Sequence, residues 1–215
     1  FKTTMKFKYL FIIIMLSLVS NARASHIVGG DIYYNYLGGN NYEFHISLYR
    51  DCLSSGAQFD SPLYLAVYNQ GALIHNLSVP FPGSSNLPVV FNNPCVTPPT
   101  NICTELAEYV VVVNLPPAVG GYDVTYQRCC RGPNITNLSN PDDTGITLTC
   151  HVPGFNTGEW ENSSPRFTNY PPLLLCNNED LYFDHSATDP DGDVLVYSLV
   201  TPYGGASSLN PQPNP

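Results

Sequence analysis

Positive charge is what this sequence lacks most. Its 215 residues hold 8 Lys+Arg against 17 Asp+Glu, and only 12% are charged, about half the share usual in a soluble domain. No lysine occurs after Lys8. Phosphate contacts need clustered Lys and Arg, so no nucleic acid is expected as a partner. Helical signals are equally scarce. No stretch repeats apolar residues at helical spacing over three turns, and only 104–109 offers a single candidate turn. No apolar run reaches the roughly 20 residues that span a bilayer, so no transmembrane segment is expected. Phosphate-cradling loops, Gly-x-Ser-x-Gly and paired Cys-x-x-Cys are all missing.

What is present points to a β protein. There are 16 Gly and 20 Pro, which supply turns, and 15 Tyr. The apolar share of 43% is too high for a disordered chain. Residues 1–24 read as a secretory signal peptide. Lys2, Lys6 and Lys8 precede an apolar run over 9–19, and Asn21-Ala22-Arg23-Ala24 supplies an Ala-x-Ala end. Met5 is the expected start. Without residues 1–24 the chain keeps four arginines, at 50, 128, 131 and 166, against 17 acids, a net charge of −13. Such a surface repels anionic polymers and attracts cations.

All seven cysteines, Cys52, Cys95, Cys103, Cys129, Cys130, Cys150 and Cys176, follow the leader. In an oxidising compartment they are disulfide candidates. Cys95 and Cys103 flank a Pro-rich loop and can close it locally. Cys129 and Cys130 are adjacent, so on a strand they point to opposite faces and are expected to take two different partners. The odd count leaves one thiol free or paired beyond Pro215.

Strand signals recur along the chain. Residues 31–36 and 42–51 flank Leu37-Gly38-Gly39-Asn40-Asn41, a hairpin signal. In the second run Tyr42, Phe44, Ile46 and Leu48 alternate with Glu43, His45 and Ser47, the pattern of a half-buried strand. Residues 63–68 and 72–79 flank Asn69-Gln70-Gly71, a second hairpin. Further strands are expected over 108–115, 122–128 and 146–150. Together they predict an antiparallel β-sandwich over 25–168. Around 163–172 the texture changes, and 173–176, 180–183 and 194–200 read as the opening strands of a second β module over 169–215. The chain is therefore expected to be the N-terminal piece of a longer protein.

Few residues suggest chemistry. Asp189, Asp191 and Asp193 stand at alternate positions in Asp-Pro-Asp-Gly-Asp, where three carboxylates can converge on calcium. The competing reading is an Asp-Gly turn with solvated acids. The EF-hand pattern fails, because Val194 and Val200 stand where Gly and Glu are needed. Glu159 and Glu161 flank Trp160, the only Trp. Paired carboxylates hydrolyse glycosides, but neighbours on one strand do not control their placement across a sugar, so exposed acids beside a packing Trp are expected. Ile27-Val28-Gly29-Gly30 matches the start of trypsin-like proteases, but their other motifs are absent. None of the five His stands at metal-ligand spacing. Four Asn-x-Ser/Thr sequons, at 76, 134, 137 and 162, matter only in a eukaryotic secretory pathway.

Several strings occur in order: Ala24-Ser25-His26-Ile27-Val28-Gly29-Gly30-Asp31-Ile32, Leu48-Tyr49-Arg50-Asp51-Cys52, Tyr126-Gln127-Arg128-Cys129-Cys130-Arg131, Asn162-Ser163-Ser164-Pro165-Arg166-Phe167, and Ser186-Ala187-Thr188-Asp189-Pro190-Asp191-Gly192-Asp193. Together they make the chain resemble the N-terminal region of gliding motility-associated, PKD-domain surface proteins of the Bacteroidetes. The resemblance implies a multidomain β protein exported by the Sec system and type IX secretion, located outside the cell or on its outer surface. It implies a cadherin-like or PKD-like second module with Asp189, Asp191 and Asp193 as calcium ligands, and it transfers no catalytic residues. In that setting Arg128 and Arg131 are candidates to bind carboxylates such as Asp51 within the sandwich. The expected role is structural or adhesive and non-enzymatic, toward an extracellular ligand such as a polysaccharide or surface protein. The alternative is a carbohydrate-binding accessory module of a secreted hydrolase.

Overall fold

The computed structural model describes residues 27–54, 56–89, 99–132, 135–175 and 178–206. The leader, Cys95, Cys176 and the sequon at Asn134 lie outside them. Among the described residues there are ten strands, two short 3-10 turns and no α-helix.

Eight strands build an antiparallel sandwich of two four-stranded sheets. The first contains β1 (Ile27–Gly38), β2 (Asn41–Asp51), β6 (Thr104–Asn114) and the two-residue β5 (Ser85–Asn86), in the order β1-β2-β6-β5. The second contains β3 (Leu63–Asn69), β4 (Ala72–Val79), β7 (Tyr122–Arg128) and β8 (Ile146–Val152), in the order β4-β3-β7-β8. Both hairpins form where the turn residues place them. Gly39 and Asn40 have φ of 59° and 66°, and Gln70 and Gly71 have φ of 50° and 79°, the left-handed pair of a two-residue type I′ turn.

The alternation in β2 does what its period requires. Tyr42, Phe44, Ile46 and Leu48 are at most 1% exposed and face the second sheet. Tyr109, Leu63, Leu65, Val67, Val124 and Tyr126 meet them in one continuous core. At about 25 cal/mol per Å² of apolar surface, such burial is the main force holding two sheets together. Gly30 permits the closest approach between them. A Cβ there would stand 2.6 Å from the Ser47 carbonyl oxygen and 2.7 Å from Leu148 Cδ1 on β8.

Polar groups lock the ends of the sandwich. Arg50 is 2% exposed; it pairs with Glu105 and donates to the carbonyls of Ser54, Gly56 and Ala57, pinning the loop after β2. Asp60 joins both sheets. Its carboxylate accepts from Tyr126 of the second sheet at 2.6 Å, and its carbonyl accepts from Tyr109 of the first at 2.6 Å.

The strands depart from expectation in two regions. Residues 104–109, the one candidate helical turn, belong to β6, because Thr104–Asn114 pairs with β2 along its whole length. The strands expected at 180–183 and 194–200 do not form, nor does one over 173–175, the described part of 173–176. In their place β9 (Arg166–Phe167) pairs with β10 (Ala187–Thr188) in a short ribbon. A strand needs a ladder partner and an apolar face to cover, and 194–200 has neither among the described residues.

A tyrosine-lined cleft as the candidate functional site

The register of the first sheet sets three polar residues in one row on its outer face. Asp31 lies opposite Ser47, and Ser47 lies opposite Glu108. The next row pairs Tyr33 with His45, whose rings stack at 4.6 Å. Over these rows lies the β9–β10 ribbon with its flanks. Between them is a cleft of about 420 Å³, with Tyr33, Tyr49, Phe167, Tyr170 and His185 as aromatic walls and Asp31 and Glu108 as acids. Tyr49 meets Tyr170 edge-on at 6.1 Å, and Phe167 packs on His185 at 4.4 Å.

Burial lifts the Asp31 carboxyl above its ordinary value; the Ser47 hydrogen bond opposes this, the Glu108 charge adds to it, and the Tyr49 hydrogen bond lowers it. Burial likewise raises the Tyr49 phenol, aided by the Asp31 charge. The one arginine of the cleft is held on its wall. Arg166 lies 5.0 Å over the Tyr33 ring and donates to Asn35 Oδ1. Among the described residues no ion pair reaches Asp31, and Glu108 has only His45 Nδ1 at 4.0 Å. The cleft thus presents aromatic faces around two carboxylates without a full positive counter-charge. That surface suits stacking and cation recognition.

The ribbon is held by the Asp-Pro-Asp-Gly-Asp string. Asp189 Oδ1 accepts the backbone N–H groups of Asp191 at 2.8 Å and Asp193 at 3.2 Å. Asp191 Oδ2 accepts the N–H of Ser163 at 2.7 Å. Ser163 and Ser164 in turn cover the free edge of β1. Tyr34 N–H donates to Ser164 Oγ at 2.7 Å, Ser164 N–H to the Tyr34 carbonyl at 2.9 Å, and Tyr36 N–H to Ser163 Oγ at 3.2 Å. Two of the three carboxylates expected to converge on calcium, Asp189 and Asp191, therefore serve a turn and a tether. Among the described residues only Cys129, Cys130 and Asp143 bring three potential ligand atoms within 4.8 Å of one another. Asp189, Asp191 and Asp193 do not form such a group, and Asp189 and Asp191 accept from separate backbone donors.

Two disulfides are described, and both differ from the expected pairings. Cys52 bonds to Cys103, with Cα atoms 5.4 Å apart, so the loop between Cys95 and Cys103 is not closed locally. Asp51 and Thr104 are partners at the end of the β2–β6 ladder, which sets Cys52 and Cys103 side by side. Cys129 bonds to its neighbour Cys130 across a cis peptide. β7 ends at Arg128, so strand alternation no longer separates the two side chains. That bond also removes Cys129, Cys130 and Asp143 from consideration as three metal ligands. Cys150 is a free thiol; burial raises it above its ordinary value, and the Asp123 charge adds to this.

The remaining candidates have structural partners. Arg128 pairs with Asp60 at 3.4 Å and donates to the Gln58 carbonyl, and Arg131 donates to the Gly145 carbonyl. The carboxylate is thus Asp60, while Asp51 accepts from Leu53 N–H. Glu159 and Glu161 lie outside any strand. Glu161 accepts from Tyr36 at 2.9 Å, and Trp160 packs edge-on against Tyr36 at 6.2 Å. Ile27–Gly30, ahead of the strand expected at 31–36, are part of β1.

Asp31, Tyr49 and Glu108 were missed as a site. The turn residues at 39–40 are a partial signal: they set Gly38 across from Asn41, and a bulge between Tyr36 and Gly38 then shifts the register so that Asp31 faces Ser47. The β9–β10 cover carries no such signal. By architecture the chain is a two-layer antiparallel β-sandwich. No protein-family model, curated protein or solved structure matches it.

Proposed function

We propose that this chain is a non-enzymatic recognition segment of an extracellular or outer-surface β protein, with the Tyr33–Tyr49–Tyr170 cleft as its binding surface. The observation that carries the reading is that cleft. Its aromatic walls come from both a rigid sheet and a tethered ribbon, and its two acids lack a full positive partner. Secretion is supported by the leader pattern, by seven cysteines in the exported part and by the Cys52–Cys103 bond. The acidic composition, lysine-free beyond Lys8, and the resemblance to gliding motility-associated surface proteins support an adhesive role. An accessory module of a secreted hydrolase is the second reading, favoured by the aromatic walls, on which sugar rings stack.

The test is capture by the full chain fixed to a surface. Outer-membrane vesicles and insoluble polysaccharides are offered in parallel, and bond cleavage is followed in both. The expected result is saturable vesicle capture without turnover, lost in the Tyr49→Ala/Tyr170→Ala double variant. Capture of polysaccharide alone would favour the accessory-module reading. Turnover of any offered substrate would overturn the non-enzymatic one.

A further inference from the structure

We infer that the cleft receives a cationic side chain, arginine or lysine, from a partner polypeptide. This rests on the cleft being a recognition surface and specifies its ligand. Asp31 and Glu108 stand in one cross-strand row joined through Ser47. Ser47 and Tyr49 line the cleft beside Asp31. Tyr49 and Tyr170 supply the rings against which a guanidinium or an alkyl stem packs, while Tyr33 already holds His45 and Arg166. A volume of about 420 Å³ falls within the ordinary range of ligand pockets, about 300–1,000 Å³.

Charge complementarity selects the occupant. Beyond residue 24 the chain has no lysine and four arginines, and each arginine is engaged. Arg50 binds Glu105, Arg128 binds Asp60, Arg131 holds the Gly145 carbonyl, and Arg166 lies on Tyr33 and Asn35. A second copy therefore has no spare arginine or lysine in this part to offer, and the cation must come from a different molecule. The net charge of −13 steers such a ligand toward the surface. The other titratable groups around the row are His45, at 4.0 Å from Glu108, and His185 on the cover.

The experiment uses the full chain and two short peptides, acetyl-Gly-Arg-Gly-amide and the same peptide with citrulline for arginine. Citrulline keeps the shape of arginine and lacks its charge. Binding is read by titration calorimetry at low and high salt, beside the vesicle-capture assay. The arginine peptide should bind at least tenfold more tightly than the citrulline one and weaken with salt. Asp31→Asn should abolish the difference while the protein remains folded, and Glu108→Gln should reduce it severalfold. Equal affinity for both peptides would overturn the inference, as would full binding by Asp31→Asn or binding of neutral oligosaccharides alone. If neither peptide binds while vesicle capture still depends on Tyr49, the cationic ligand falls and the recognition surface stands. If vesicle capture fails as well, both fall.

Discussion

β2 and residues 194–200 are written in nearly the same alphabet and end in opposite environments. In β2, Phe44, Ile46 and Leu48 are 0% exposed. In the later segment Val194, Val196 and Leu199 are 92%, 91% and 104% exposed. Both are rich in β-formers, β2 alternating with polar residues and 194–200 apolar at every position but Ser198. β2 has β1 on one side and β6 on the other, and a second sheet over its inner face. Residues 194–200 have no ladder partner among the described residues. Period-two patterning states which face a strand buries, and a strand exists only where something supplies the other half of the hydrogen bonds.

The sharpest way to break that comparison is a matched pair of truncations. Phe44→Ala should cost about 3–5 kcal/mol in urea unfolding, the usual range for an aromatic removed from a packed core. Val196→Ala should change stability by less than about 0.5 kcal/mol, as at other exposed positions. Equal costs at the two sites would show that 194–200 is buried in solution.

Next in size is the Cys52–Cys103 bond, which closes 51 residues within the sandwich. Replacing both cysteines by alanine should lower stability by about 2–4 kcal/mol. No such loss is expected from Cys150→Ser at the thiol level. In native protein Cys150 should resist alkylation at neutral pH, because burial raises its thiol. It should react on unfolding, as peptide mapping would show. Rapid native labelling would mean that the β8 edge of the sandwich opens.

The tether between the two regions should contribute less. Asp191→Ala removes the acceptor for Ser163 N–H and should cost about 1 kcal/mol, with faster hydrogen exchange at Ser163. Asp191→Asn keeps an acceptor oxygen and should cost less. Calcium and chelator should give the same melting midpoint. A midpoint raised by calcium, with the rise lost in Asp191→Asn, would show that the carboxylates gather around an ion.

The smallest expected effect has a distinctive sign. The Asp31 carboxyl is raised by burial above its ordinary value of 3.8, so the folded state holds this proton more tightly than the unfolded state does. The associated stability is present below that ordinary value and is lost as pH rises through the raised one. Asp31→Asn should therefore be equally or slightly more stable than the native chain at neutral pH. The difference should close below about pH 4. A clear loss of stability at neutral pH would mean that Asp31 is needed for folding rather than for a ligand.

Much of the sandwich was legible in the sequence. Both hairpins were readable from turn residues that tolerate left-handed backbone. The inner face of β2 was readable from its alternation, and β7 from its bounds. The candidate site was less legible. The Asp31–Ser47–Glu108 row follows from pairing strands whose order, β1-β2-β6, skips across the second sheet, and no local pattern encodes that order. Sequence spacing also suggested that Asp189, Asp191 and Asp193 converge. It could not show that backbone donors at 163, 191 and 193 reach two of those carboxylates first.

The sequence by itself determined the β class, the acidic and lysine-poor surface, and the placement of the main turns, because these follow from composition and from two-residue periodicity. Tertiary structure decided which cysteines meet, which apolar runs become strands, and which acids face an open cleft. Those outcomes depend on contacts between residues far apart in the chain, where ladder partners and close packing are set by the whole fold.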